Sequence, residues 1–142
     1  MWIYQHSIET EASAAQLWDL YSDISTWPRW DGGLERITIN GPFAAGATGE
    51  MKFAGQDPLP YTLAEVDPGR SFVDETDMGD ILIRFEHSLA VKGSATVVTT
   101  RVTISGSKAD ELGPEIGPMI TADVPDQLAS LARLALDSST RE

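Results

Sequence analysis

His87 is the residue best suited to chemistry in this chain. It sits in an alternating run, Ile81 to Val91, where Ile81, Ile83, Phe85, His87, Leu89 and Val91 share one face. An imidazole titrates near neutrality, so it can move a proton, polarise a carbonyl or hydrogen-bond a ligand. The same position also suits a core histidine satisfied by its neighbours. Acid–base work needs a second polar group, and Asp74, Glu75 and Tyr61 are the candidates. Strand parity turns only one of Asp74 and Glu75 inward. A carboxylate buried there without a partner has its pKa raised. Arg84 falls on the wrong face of its strand for this partnership. Asp31, after Trp30, reads as a cap or turn acceptor rather than an acid.

Aromatic residues supply the second signal. Trp18, Trp27 and Trp30, three of the four tryptophans, lie close together in sequence. Trp18 is expected to pack a helix on a sheet. Trp27 and Trp30 flank Pro28, and either one lines the mouth of a cavity or both belong to the core. Met51, Phe53, Tyr61, Phe72, Met78, Ile83, Phe85, Val102, Met119 and Ile120 complete the candidate lining with His87. Methionine suits irregular ligands because its thioether chain is flexible. Each of these apolar residues equally serves as core.

Other chemistries lack their residues. There is no cysteine, which excludes disulfides, zinc–thiolate sites and cysteine nucleophiles. Only His6 and His87 could offer imidazole to a metal, and they have no ligand spacing, so no metal site is expected. No phosphate-cradling glycine loop, dinucleotide fingerprint or G-x-S-x-G occurs, and no cofactor is implied. The net charge is −12, with scattered basic residues, so nucleic acid and anionic membranes are not expected partners. No apolar run reaches bilayer length, and the start Met1 to His6 lacks the zones of a signal peptide. A cytoplasmic, soluble protein is expected.

The elements that must position these residues can be read in order. At 142 residues, a single domain over 1–142 is expected. Trp2 to Glu9 alternates as a strand, with Trp2, Tyr4, His6 and Ile8 on one face. Ser13 and Gln16 make a capping box, so a helix starts at Ala14 and carries Leu17, Trp18 and Tyr21 on one stripe. Asp23 caps a short helix, Ile24 to Thr26, which Pro28 stops. Six strands follow: Leu34 to Asn40, Ala47 to Phe53, Leu59 to Val66, Ser71 to Thr76, Ile81 to Val91 and Ala95 to Ser105. Asp67-Pro68-Gly69-Arg70 is a strong turn between two of them. The last third is a helix whose stripe includes Leu112, Ile116, Met119, Ile120, Val124, Leu128, Leu131 and Ala135. Pro125 should kink it near Thr121, whose carbonyl loses its donor. Gly113-Pro114 and Gly117-Pro118 are expected to act as gate hinges at its start.

A meander of six strands twists and curls, and its apolar face needs a cover. The long C-terminal helix is the large apolar stripe left to provide it. This α+β order, β-α-α-β6-α, resembles the helix-grip fold, a curved antiparallel sheet wrapped around a long C-terminal helix. The segments Ala12 to Trp18, Asp23 to Asp31, Glu65 to Phe72 and Phe85-Glu86-His87 carry the resemblance. They are similar to the SRPBCC superfamily of START-like and birch-pollen-allergen-like domains. The narrower likeness is to its bacterial polyketide cyclase/dehydrase and lipid-transport group. That resemblance implies a cavity between sheet and helix for a lipid, polyketide or aromatic metabolite. It leaves three readings open: a binding or carrier domain, a cyclase or dehydratase using His87 with a carboxylate, and a protein-interaction module. The oligomeric state is left open as well.

Overall fold

Ser13 opens the first helix by both halves of a capping box, its side chain accepting from the Gln16 amide while the Gln16 side chain accepts from its own. The computed structural model describes residues 1–140, and side chains over 1–137. Its elements are β1 (Trp2–Thr10), α1 (Ala14–Ser22), a 3-10 turn (Ile24–Thr26), α2 (Trp27–Trp30), β2 (Leu34–Ile37), β3 (Thr48–Phe53), β4 (Leu59–Asp67), β5 (Ser71–Asp77), β6 (Leu82–Lys92), β7 (Ala95–Ser105), α3 (Ala109–Thr121) and α4 (Val124–Thr140). All strands join one curved antiparallel sheet in the order β1-β7-β6-β5-β4-β3-β2. The helix-grip architecture expected from the sequence is the one observed.

Three local expectations need correction. Pro28 does not stop a helix; it stands in the first turn of α2, where its missing N–H costs nothing and its fixed φ suits helix entry. β2 ends at Ile37 rather than Asn40, which keeps only an isolated bridge to Thr48. The C-terminal helix is two helices, because Pro125 takes the first turn of α4 and leaves the Thr121 carbonyl without its usual donor.

The concave face of the sheet carries two apolar clusters. Leu17, Tyr21, Trp27, Trp30, Phe72 and Leu131 belong to the first, which lies beneath α1, α2 and α4. Ile81, Ile83, Val102 and Ile104 form the second, covered by α3 through Leu112, Ile116 and Ile120. Gly113 and Gly117 let α3 lie directly on Trp2. A Cβ would come within 2.6 Å of the Trp2 Cβ at Gly113 and 2.5 Å of its ring at Gly117. Their place is that of a close approach between helix and strand, not that of the gate hinge expected from sequence.

Candidate functional site

Strand register brings polar residues together on the concave face. His6 pairs with Thr100, Thr100 with His87, and His87 with Phe72. One row away, Tyr4 pairs with Val102, Val102 with Phe85, and Phe85 with Asp74. Directly paired residues share a face, so His87, Thr100 and Asp74 make a polar seam between the two apolar clusters. All three are buried. His87 Nε2 lies 3.4 Å from Asp74 Oδ2, and His87 Nδ1 lies 3.4 Å from Thr100 Oγ1. These contacts are long for hydrogen bonds, but they engage both ring nitrogens.

Parity decides between the two adjacent carboxylates as the alternation predicts. Asp74 turns inward to His87. Glu75 turns to the opposite face and joins Glu65 in an ion-paired group around Arg84. Tyr61 is buried near Asp74, and burial together with the Asp74 charge pushes its phenol up to about 12. It therefore stays protonated and donates to the Thr38 carbonyl at 2.7 Å.

An aromatic enclosure surrounds the seam on one side. Phe72 is fully buried and stacks on the His87 ring at 4.5 Å. It also meets the rings of Tyr21 at 5.1 Å, Phe43 at 5.2 Å, Trp27 at 5.7 Å and Trp18 at 6.2 Å. The sequence-predicted space between sheet and α4 is therefore occupied by rings at this level. Trp27 donates its indole N–H to the Tyr21 carbonyl at 2.9 Å. The Tyr21 hydroxyl and the Trp30 indole N–H are buried without a partner among the described residues.

An open cleft of about 360 Å³ lies on the other side of Trp30, between Gly32-Gly33 and the first turns of α4. Asp123, Asp126, Gln127 and Ser130 line its helical wall. Asp31 stands beside it and accepts from the Gly33 amide at 3.3 Å, the turn-acceptor role expected of it. Burial raises the Asp31 pKa, Asp123 adds to the rise, and hydrogen bonds from Gly33 and Gln127 oppose it. The folded chain therefore binds the Asp31 proton more tightly than the unfolded one, and stability falls as pH rises from about the ordinary value of 3.8 through the raised one. Asp31→Asn keeps an acceptor for Gly33 and removes the charge. It should raise the unfolding temperature at pH 7 and give no gain below pH 3.8, a comparison that thermal melts at the two pH values would check.

The predicted lining residues separate into three groups. Trp27, Trp30, Tyr61, Phe72 and His87 are buried around the first cluster, with Met51 and Phe53 half-buried against it. Ile83, Phe85, Val102 and Ile120 belong to the second cluster under α3, on the far side of the seam. Met78 and Met119 are corrections: they are 53% and 69% exposed. Met78 sits just past the end of β5, and Met119 faces away from the sheet that Ile116 and Ile120 cover. Tyr21, Phe43 and Thr100 were missed as site residues. Thr100 was legible in principle, since the turn Lys92-Gly93-Ser94 sets its register opposite His87. Among the described residues no group of histidine and carboxylate side chains could hold a metal, and no helix is long and apolar enough to cross a membrane.

Comparison with known proteins places the fold. Norcoclaurine synthase from Thalictrum flavum, as a point mutant with a transition-state analogue, superposes with a TM-score of 0.77 at 17% identity, covering 96% of this chain and 95% of that one. The protein Ara h 8.0201 gives 0.77 at 11% identity, covering 95% and 97%. The di-domain ARO/CYC StfQ from the steffimycin biosynthetic pathway gives 0.77 at 10% identity, covering 97% of this chain and 51% of that one. At these identities the likeness is one of fold. No curated protein matches by sequence. Residues 1–136 match the family described as polyketide cyclase / dehydrase and lipid transport, and the chain belongs to that family.

Proposed function

We propose that this chain binds a hydrophobic small molecule between the concave sheet face and α4. The observation that carries the reading is the His87–Asp74 pair, buried within an enclosure of aromatic rings. Burying ionisable groups costs free energy, and an apolar core would hold the sheet and helix together without them. A polar pair inside an apolar site instead orients a bound molecule. The fold accommodates such ligands: norcoclaurine synthase has been solved with dopamine and hydroxybenzaldehyde. Here the rings close on one another, so a ligand must displace some of them. Trp18 and Phe43 are the half-buried members of the enclosure and the ones free to give way. Affinity would come mainly from apolar burial, at about 25 cal/mol per Å².

The same pair favours a second reading, acid–base chemistry of the cyclase or dehydratase kind. Binding ranks first because it asks only for the apolar enclosure and the polarity of the pair, whereas acid–base turnover asks a His87 ring nitrogen to leave Asp74 or Thr100 for the substrate.

Native mass spectrometry of the purified protein is expected to show a co-purified small molecule or, after extraction, uptake of N-phenyl-1-naphthylamine with enhanced fluorescence. A protein that carries nothing and takes up no probe would remove the binding reading. If wild type converts an extracted compound and His87→Ala binds it without converting it, the catalytic reading takes precedence.

A further inference from the structure

We infer that the bound molecule presents a neutral carbonyl oxygen to the Tyr21 hydroxyl and the Trp30 indole N–H. This rests on the binding reading above and adds the chemical class of the ligand.

Tyr21 and Trp30 hold the buried side-chain polar atoms that lack a partner among the described residues. Tyr21 is fully buried, and its ring meets Trp30 edge-on at 5.7 Å and His87 at 5.4 Å. The rings that carry the two donors are therefore in direct contact, beside the polar seam. An indole N–H can only donate. Burial pushes the Tyr21 phenol well above its ordinary range, so it too remains a donor. Buried donors left unmade are costly, which distinguishes this pair from Trp27, whose N–H is satisfied by the Tyr21 carbonyl. What completes the pair must be an acceptor, and one carbonyl oxygen offers two lone pairs.

Charge selects among acceptors. Asp74 lies on one side of the enclosure, and Asp31 and Asp123 lie beyond Trp30. A carboxylate ligand would meet this negative field, whereas a ketone would not. The flat faces of Trp27 and Phe72 suit a planar body behind the carbonyl. The cleft reaches the Trp30 side chain from solvent, although its indole N–H stays buried until the enclosure opens.

The test compares 2-acetylnaphthalene with 2-isopropenylnaphthalene, which replaces the carbonyl oxygen by a methylene. Binding is followed by the indole N–H cross-peaks of the ¹⁵N-labelled protein, with Trp30 assigned from Trp30→Phe. The ketone is expected to move the Trp30 N–H signal downfield, and the alkene to bind without doing so. Tyr21→Phe should weaken ketone binding about fivefold, the worth of one net hydrogen bond, and leave alkene binding unchanged. It should also leave the melting temperature of the free protein unchanged or raised. Equal responses to the two probes, or a melting temperature lowered by Tyr21→Phe, would overturn the inference while leaving the binding reading in place. If neither probe binds, the inference falls, and the binding reading falls with it only where the protein also carries no co-purified molecule and takes up no N-phenyl-1-naphthylamine.

Discussion

Phe72→Ala is expected to lower the free energy of unfolding by about 3–5 kcal/mol, the usual cost of emptying a large aromatic site in a core. Phe72 is fully buried at the centre of the enclosure and touches five other rings, one of them the His87 imidazole. Those rings come from α1, α2, the β2–β3 loop and β6, elements that cannot all move inward to fill the space. The vacancy should therefore persist, and a persistent apolar vacancy binds small aromatic molecules. Urea unfolding with and without added indole would measure both effects. A loss below about 1 kcal/mol would mean that the rings are not packed around Phe72 as described. Phe72→Leu retains most of the volume and should cost clearly less.

Gly49→Ala should be nearly as damaging, by about 3 kcal/mol, the upper part of the range for overpacking a filled site. A Cβ at this position would stand 2.0 Å from the Thr38 carbonyl oxygen and 2.8 Å from the Tyr61 hydroxyl. The first contact is with backbone, so no side-chain rotation relieves it. Thr38 also donates its amide to the Glu50 carbonyl at 2.9 Å, so the strand end must shift as a unit. Tyr61 then loses its acceptor, the Thr38 carbonyl. Adding Tyr61→Phe to Gly49→Ala should not restore stability. Restoration would show that the hydroxyl, not the carbonyl, is the obstacle.

Where the sequence was informative, one physical signal dominated. Alternation in Ile81 to Val91 placed His87 inward, and the same rule separated Asp74 from Glu75 once a partner strand was given. The capping box at Ser13 fixed the start of α1. The failures arose where two rules met. Pro28 can end one helix or begin the next, and only the packing of Trp27 and Trp30 decides. Met119 keeps the spacing of an apolar stripe, yet the sheet covers just the part of α3 that carries Ile116 and Ile120. Phe85 and Phe72 both line the concave face and look equivalent by parity. They fall in different clusters because α3 covers one and α1, α2 and α4 cover the other, a tertiary fact with no local signature. Tyr21 was visible only as a residue of the α1 stripe, since an unmet hydroxyl is defined by neighbours distant in the chain.

The pairing of β1 with β7 sets a delay during synthesis. Trp2 lies opposite Ile104 and Thr10 opposite Thr96, so β1 gains its neighbour only after β7 has been made. At ordinary rates of about 5–20 residues per second, that is a wait of roughly 5–20 s. Hairpins within β3–β7 can close locally in the meantime, while the inward side chains Trp2, Tyr4 and Ile8 of β1 have no sheet to cover them. Closing a loop of this length is also what slows folding in chains of high contact order. The polar residues Gln5, Ser7 and Glu9 on the other face of β1 then help to keep a waiting strand from pairing with another nascent chain, a task they retain afterwards because β1 stays at the sheet edge.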